Sequence, residues 1–453
     1  MLPLVEIPPF VKKYAEGYQD LFSPQQYQHF IRYLTGLLTL ENKTIQAING
    51  AFVVDLRNQS SLNRFLTQYH WSADAINDRR LQLLSQDRAT KPNRHSVLII
   101  DDTHNQKYGD HFPLLGKWYI PSAHCYGLSH NLVTIHYADR QVDYPLELRW
   151  YQQMDVEKTV EWLASNDIKY RPEVLERKKK PSQKRKYLGA ILKRVRQQHR
   201  DWQVPYPSKL DLACDLIDWA FERGYRSPVV FDSWYTCRQV CSHIADKKMI
   251  YVGTLDGDEG VYVKGKWVSV RQWYEGLKQK DFQAVRFRYR QQEAMTQYWA
   301  AAQSRQVGQL GRVRLVASHE QKDRSDDPRF YVCNYLQWEL SYLLGRRRLR
   351  WPVETSYEET KGPLGFNAYE LRDEEGIRRH WTLVFAAYSA ARQANAQGRW
   401  GNWLKAVLET VGDVRRQVQG EALAALIYFA FAEMARGRST EAIVDLLVSH
   451  LRH

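Results

Sequence analysis

The chain has 453 residues, 44% of them hydrophobic, and a formal net charge of +14. At that length about three folding units, or one large domain with insertions, are expected, and burying a sizeable core is within reach. The charge favours a polyanionic partner, because neutralising phosphates releases condensed counterions, and five cysteines without zinc-finger spacing (Cys125, Cys214, Cys237, Cys241, Cys333) argue for free thiols in a reducing compartment.

The opening MLPLVEIPPFVKKY holds Glu6 and three prolines and no secretory apolar core, so a cytoplasmic protein is expected. Apolar residues then recur at helical spacing over Tyr27 to Leu40, Thr44 to Val54, Ser61 to Tyr69 and Ala73 to Leu84, which predicts a helical domain over residues 1–92. The second and third of these segments, joined by a short polar turn, read either as a helix-turn-helix presenting Asn63, Arg64 and Gln68 to DNA bases or as an ordinary helical hairpin.

From His95 the pattern turns to β. HSVLIIDDT contains an unbroken apolar run that suits a strand covered on both faces, and strands follow at Asn131 to Tyr137 and Tyr144 to Trp150. Helices at Val156 to Ala164 and Leu210 to Arg223 lead to the strand SPVVFD. An α/β fold with a mixed sheet flanked by helices is predicted, its first part at 93–250. Residues 168–200 hold a basic arm: Arg177 to Arg200 contains Lys178, Lys179, Lys180, Lys184, Arg185 and Lys186 among eleven cations and no acid. Like charges repel, so this segment is expected to be an exposed arm or loop that meets phosphate.

Residues 251–335 read as a β-rich insertion. GVYVKGKWVSV predicts a hairpin around Lys264 and Gly265. AVRFRYR alternates, so Val285, Phe287 and Tyr289 pack while Arg286, Arg288 and Arg290 face water or DNA. The core resumes at 336–395, and residues 396–453 read as helical. The apolar helix Ala422 to Met434 is assigned to the core or to a dimer interface, and the stretch Ala422 to Ala432 is too short to span a bilayer, so no membrane partner is expected.

Three acidic positions stand out: Asp102 ending Val97 to Ile100, Asp232 ending Val229 to Phe231, and Glu354 in RWPVETSYEETKGPLG. Phosphodiester transfer builds negative charge on the phosphoryl and leaving oxygens, and two divalent ions held by carboxylates answer that need. Asp102, Asp232 and Glu354 are therefore the candidate catalytic residues and ligands for two Mg²⁺ or Mn²⁺ ions. Asp101 competes with Asp102, since alternation puts the two on opposite faces of the strand. Arg350, Glu354 and Lys361 share one helical stripe by offsets of four and seven, with Pro352 placing Arg350 just ahead of the helix. His124, His130 and His136, six residues apart, fit no helical metal face, and no zinc is assigned.

These motifs resemble the DDE transposases of bacterial insertion sequences, in particular the group marked by Tyr-x2-Arg-x3-Glu-x6-Lys. Arg350, Glu354 and Lys361 match its Arg, Glu and Lys, and IIDDT and VVFDSWY resemble the motifs that carry its two aspartates. Arg347 stands where the signature has tyrosine. The resemblance implies an RNase H-like core, an N-terminal domain reading inverted repeats of double-stranded DNA, joining of 3′ ends to target DNA, and a homodimer that synapses two ends. It also makes Trp267, Trp273 and Trp299 candidates for holding a flipped base. Arg350, Lys361 and Arg347 are then candidate DNA contacts beside the basic arm, Arg286, Arg288, Asn63 and Arg64. Two other functions fit the same residues: a DNA-binding repressor or architectural protein that has lost catalysis, and a nuclease without strand transfer.

Overall fold

The computed structural model describes residues 2–120, 123–199, 201–290 and 294–448. Arg200, the last cation of the basic run, lies outside them.

Five α-helices precede the sheet: Pro9–Ala15, Pro24–Thr39, Ile45–Ala51, Gln59–Thr67 and Ala73–Gln86. Their starts are written locally. Ser23 and Gln26 form a reciprocal cap ahead of Pro24, and the side chains of Thr44 and Ser72 accept from the backbone N–H of Ala47 and Ala75. Phe30, Leu34, Leu37 and Leu38 then supply the buried stripe of the second helix. This layer packs on the long helix Glu374–Ala396, with Tyr33 Oη 2.8 Å from His380 Nδ1 and Arg80 donating to Ser389 Oγ at 2.8 Å.

Twelve strands form one mixed sheet. Strands β1 (Val97–Gln106), β2 (Gly116–Ile120), β3 (Cys125–Ala138) and β4 (Asp143–Tyr151) are antiparallel neighbours, with both β2 and β4 against β3. Strands β5 (Val229–Phe231) and β6 (Tyr251–Leu255) continue the sheet parallel to β1. The order β4-β3-β1-β5-β6, three antiparallel strands followed by two parallel ones, is that of an RNase H-like core. Leu98 and Ile100 face one hydrophobic cluster and Val97 and Ile99 another that includes Val353, which is why the run on β1 is apolar without interruption.

The insertion is a continuation of this sheet. Strands β7 (Gly260–Val263), β8 (Lys266–Ser269), β9 (Gln283–Arg288), β10 (Met295–Val307), β11 (Gly311–His319) and β12 (Arg329–Cys333) join it where β12 pairs antiparallel with β6. The predicted β7–β8 hairpin turns at Lys264 and Gly265, both at positive φ (48° and 85°), the geometry a two-residue turn requires. Val285, Phe287 and Tyr289 are buried and Arg286 and Arg288 exposed, as the alternation predicts. Arg290 departs from the pattern: it leaves the strand at φ 51° and pairs with the buried Asp143.

The basic run corrects its reading as a loose arm. Residues Pro181–Gln198 form a helix, because Leu188, Ile191, Leu192 and Val195 recur at helical spacing and pack with Leu163 and Val204 in a small core of their own. Lys179, Lys180 and Lys186 remain exposed, Lys178 and Lys184 are half-buried, and Arg185 donates to the Met154 carbonyl at 3.0 Å.

After the helix Glu374–Ala396 the chain is not wholly helical: a short hairpin pairs Trp400–Gly401 with Ala406–Val407 before the helices Val411–Ala435 and Thr440–Val448. The 25-residue helix is longer than the apolar stretch suggested, and its length and composition would suffice to cross a membrane. Its first half, at Val411, Val414, Val418 and Ala422, lies in the core.

Candidate active site

The four acids meet where β5 ends beside the middle of β1, Asp101 and Asp102 being the fifth and sixth of its ten residues. The β1–β5 register, Ile99 opposite Val230, carried forward brings Asp232 level with Asp101. Alternation sends Asp101 to the face covered by the helix Pro352–Lys361, and Asp102 to the face where the helix Lys209–Glu222 begins.

Asp101 is sealed. Its side chain is 12% exposed, and Arg350 Nη1 lies 2.5 Å from its Oδ2. Burial pushes its carboxyl up to about 7 against the pull of Arg350, with the charge of Glu354 adding to the rise. Asp102 is more open, at 22%, and is held from two sides: Lys209 Nζ lies 2.5 Å from Oδ2, and Tyr235 Oη donates to Oδ1 at 3.1 Å. Asp232 sits in a turn in which the backbone N–H groups of Trp234 and Tyr235 donate to its Oδ1 at 3.1 and 3.3 Å. Burial raises its pKa, and the neighbouring charge of Asp102 raises it further.

Glu354 arrives on the opposite wall. Pro352 opens its helix, so Arg350 falls in the turn after the helix Leu340–Arg348, as the sequence predicts. From there the guanidinium spans two acids, donating to Glu354 Oε1 at 2.9 Å as well as to Asp101. Glu354 is 42% exposed, the most open of the acids for which a pair is formed here. Lys361, seven residues on, donates to Thr103 Oγ1 (2.6 Å) and to the His104 carbonyl (2.9 Å), so it clamps the helix to β1 rather than projecting. Burial lowers its pKa to about 8.

Arg347 has no carboxylate within ion-pair distance among the described residues. Its Nη2 donates to Thr254 Oγ1 at 2.7 Å, its guanidinium stands 5.3 Å from the Tyr331 ring, and burial brings its pKa down to about 10. It lines a cavity of about 770 Å³ shared with Arg271, Arg348, Arg350, Tyr298 and Trp351, in which arginines outnumber the two acids, Asp256 and Glu320. Of the candidate tryptophans, Trp267 is exposed, Trp299 half-buried, and Trp273 is core, with its N–H on Gln303. Asn63 and Gln68 line a second cavity, of about 840 Å³, while Arg64 beside them is exposed and Arg286 donates to Gln297 on the neighbouring strand.

Lys209, Tyr235 and Tyr357 were not singled out by sequence. Tyr357 Oη lies 2.5 Å from Thr134 Oγ1, half-buried near Asp101. Only the capping pattern Ser208 to Asp211 flags Lys209 as the start of a helix, and nothing local says which strand end that helix meets.

The donor set consists of hard carboxylate oxygens and suits Mg²⁺ or Mn²⁺. Among the described residues no three carboxylate, histidine or cysteine side chains already close on one point. Instead the cluster holds cationic side chains, Lys209 and Arg350, on the oxygens an ion would use.

Comparison with known proteins agrees with this architecture. A segment of 113 residues is 33% identical to a probable transposase for insertion sequence element IS701 from Microchaete diplosiphon, covering 24% of this chain and 28% of that protein. The chain thus aligns with less than a third of that relative's length. The family described as DDE superfamily endonuclease matches residues 18–324, which take in both aspartate motifs and stop short of Glu354. With two thirds of its length matched, the chain belongs to the DDE superfamily endonucleases.

Proposed function

We propose that the protein is an insertion-sequence transposase, which binds the inverted-repeat ends of its element in double-stranded DNA, cleaves them and joins the 3′ ends to target DNA. The observation that carries this reading is the meeting of the acids of β1 with Asp232 at the end of β5 and Glu354 on the helix Pro352–Lys361, Arg350 bridging Asp101 to Glu354. Asp102, Asp232 and Glu354 would hold two Mg²⁺ or Mn²⁺ ions. Such ions, when bound, supply the positive charge that activates an attacking oxygen and stabilises a leaving one. Asp101 fixes Arg350, which in turn orients Glu354. Lys361 sets the spacing between helix and strand, and Arg347, a half-buried cation without a carboxylate partner among the described residues, offers its charge to a phosphate.

The wider surface supports a DNA partner. Lys178, Lys179, Lys180, Lys184, Arg185 and Lys186 cluster on the helical excursion before the helix Lys209–Glu222, and Arg286 and Arg288 lie on the outward side of β9. Asn63 and Arg64 stand on the helix Gln59–Thr67 for the reading of end sequence. An exposed apolar stripe on the helix Val411–Ala435 supports a homodimer.

A labelled inverted repeat incubated with protein and Mg²⁺ is expected to be cut, and, with supercoiled target added, joined. Glu354→Ala is expected to bind the repeat and leave it intact. Binding without cutting by the unaltered protein would make it a repressor or architectural protein, cutting without joining a nuclease, and cutting by Glu354→Ala would remove that residue from the site.

A further inference from the structure

Lys209 occupies a position that the proposed chemistry would need for something else. It is the first residue of its helix, whose start is fixed by the reciprocal cap between Ser208 and Asp211, so its backbone has little freedom. Its side chain is 15% exposed, and the ring centroids of Tyr151 and Trp234 lie 5.6 and 5.7 Å from its Nζ. Among the described residues Asp102 is its one carboxylate partner, at 2.5 Å from Oδ2. The other carboxylate oxygen is held separately by Tyr235. The carboxylate would therefore keep its direction if the ammonium left.

We infer that Lys209 is a positioning residue that holds Asp102 in the metal-free protein and is displaced when a divalent ion takes the same oxygen. The inference rests on the transposase reading. An ammonium and a divalent ion both seek the charge of Oδ2, and two cations crowded onto one oxygen repel each other. Without an ion, Asp101, Asp102, Asp232 and Glu354 would repel one another across the site, and Lys209 offsets part of that repulsion. The lysine thus trades metal affinity for order in the empty site. Lys361 offers a contrast, because its ammonium donates to a hydroxyl and a carbonyl and, among the described residues, pairs with no carboxylate.

The test is titration of the full-length protein with MnCl₂ in the absence of DNA, read by the spin-resonance signal of free Mn²⁺, with melting temperature followed in parallel. Lys209→Met is expected to bind Mn²⁺ about tenfold more tightly than the unaltered protein, the scale of one charge-assisted hydrogen bond. It is also expected to melt lower without metal and to recover with it. Lys209→Arg, whose fork grips a carboxylate more firmly, is expected to bind Mn²⁺ more weakly, and decides the matter if the methionine variant does not fold. Lys361→Met is expected to change affinity by less than Lys209→Met. Unchanged or weaker binding by Lys209→Met, or an equal gain from Lys361→Met, overturns the exchange and leaves the transposase reading standing. Mn²⁺ binding by Asp102→Asn at full strength would overturn the assignment of the site itself, and this inference with it.

Discussion

Asp101 and Asp102 are adjacent in sequence and opposite in circumstance. The first is locked to Arg350 on the face of the Glu354 helix, the second is the more accessible and is held by a lysine and a tyrosine. Truncating their charges therefore has different consequences. Asp102→Asn is expected to abolish cleavage of a labelled inverted repeat, a loss of at least about 10³-fold if it removes metal charge from the reaction. Asp101→Asn frees Arg350 and is expected to slow cleavage by about tenfold to a hundredfold without abolishing it, the scale of lost orientation. Equal loss from both, measured as single-turnover rates, would show that both carboxylates act on the ions. That two acids follow the apolar run was legible in the sequence, but β1 continues past them to Gln106, so they stand in the middle of the strand rather than at its end. Which acid faced Glu354 was not, since it depends on how the strand twists against a helix some 250 residues later in the chain.

At the scale of elements, the hydrophobic periodicity located the N-terminal helices and the strands flanking both aspartates. Two features escaped it for physical reasons. The cations of the basic run masked Leu188, Ile191, Leu192 and Val195, whose spacing alone makes a helix. The pairing of β12 with β6 joins residues about 80 apart and has no local signature, so the sequence shows a β-rich segment but not the strand at which it joins the sheet. Because the basic segment is an ordered helix with its own core, its charges act from fixed positions. Replacing Lys179, Lys180 and Lys186 by alanine is expected to reduce the slope of log affinity against log salt by about 3 for duplex DNA, measured by fluorescence anisotropy. An unchanged slope would place the DNA elsewhere. A second element-scale link is Asp143 on β4, which accepts from Arg392 (2.6 Å) and Tyr388 (2.7 Å) of the long helix and pairs with Arg290 from the end of β9. Burial alone would raise its pKa, but the two arginines hold it down to about 2, against an ordinary value of 3.8. A depressed carboxylate contributes its stability fully above the unfolded value and loses it as pH falls through the folded one. The melting temperature is thus expected to drop between about pH 4 and pH 2 more steeply than in Asp143→Asn. At neutral pH that variant is expected to be less stable by roughly 3 kcal/mol, because it leaves two half-buried arginines without their anion. Parallel curves for the two proteins would show that the network does not hold insertion to core.

For the whole molecule, the hydrophobic cluster that the N-terminal helices share with one face of the sheet reaches Ala422 on the helix Val411–Ala435 and no further along it. Beyond it Leu423, Ile427, Phe431 and Met434, at offsets of four, four and three, form one exposed stripe, with Val444 exposed on the following helix. A row of large apolar side chains on one face of a helix is costly in water, and a partner of the same kind relieves that cost. Sequence pattern alone left Ala422 to Met434 divided between core and interface, because a run of apolar residues serves either, and only the fold shows which of its side chains are covered. If two copies meet there, Phe431→Asp is expected to convert a dimer to a monomer in light scattering while leaving Mn²⁺ binding unchanged, since the stripe is remote in sequence and environment from Asp102, Asp232 and Glu354. The monomer is further expected to bind one inverted repeat normally and to fail in joining two. A protein already monomeric before the substitution, with or without repeat DNA, would assign the stripe to some other surface.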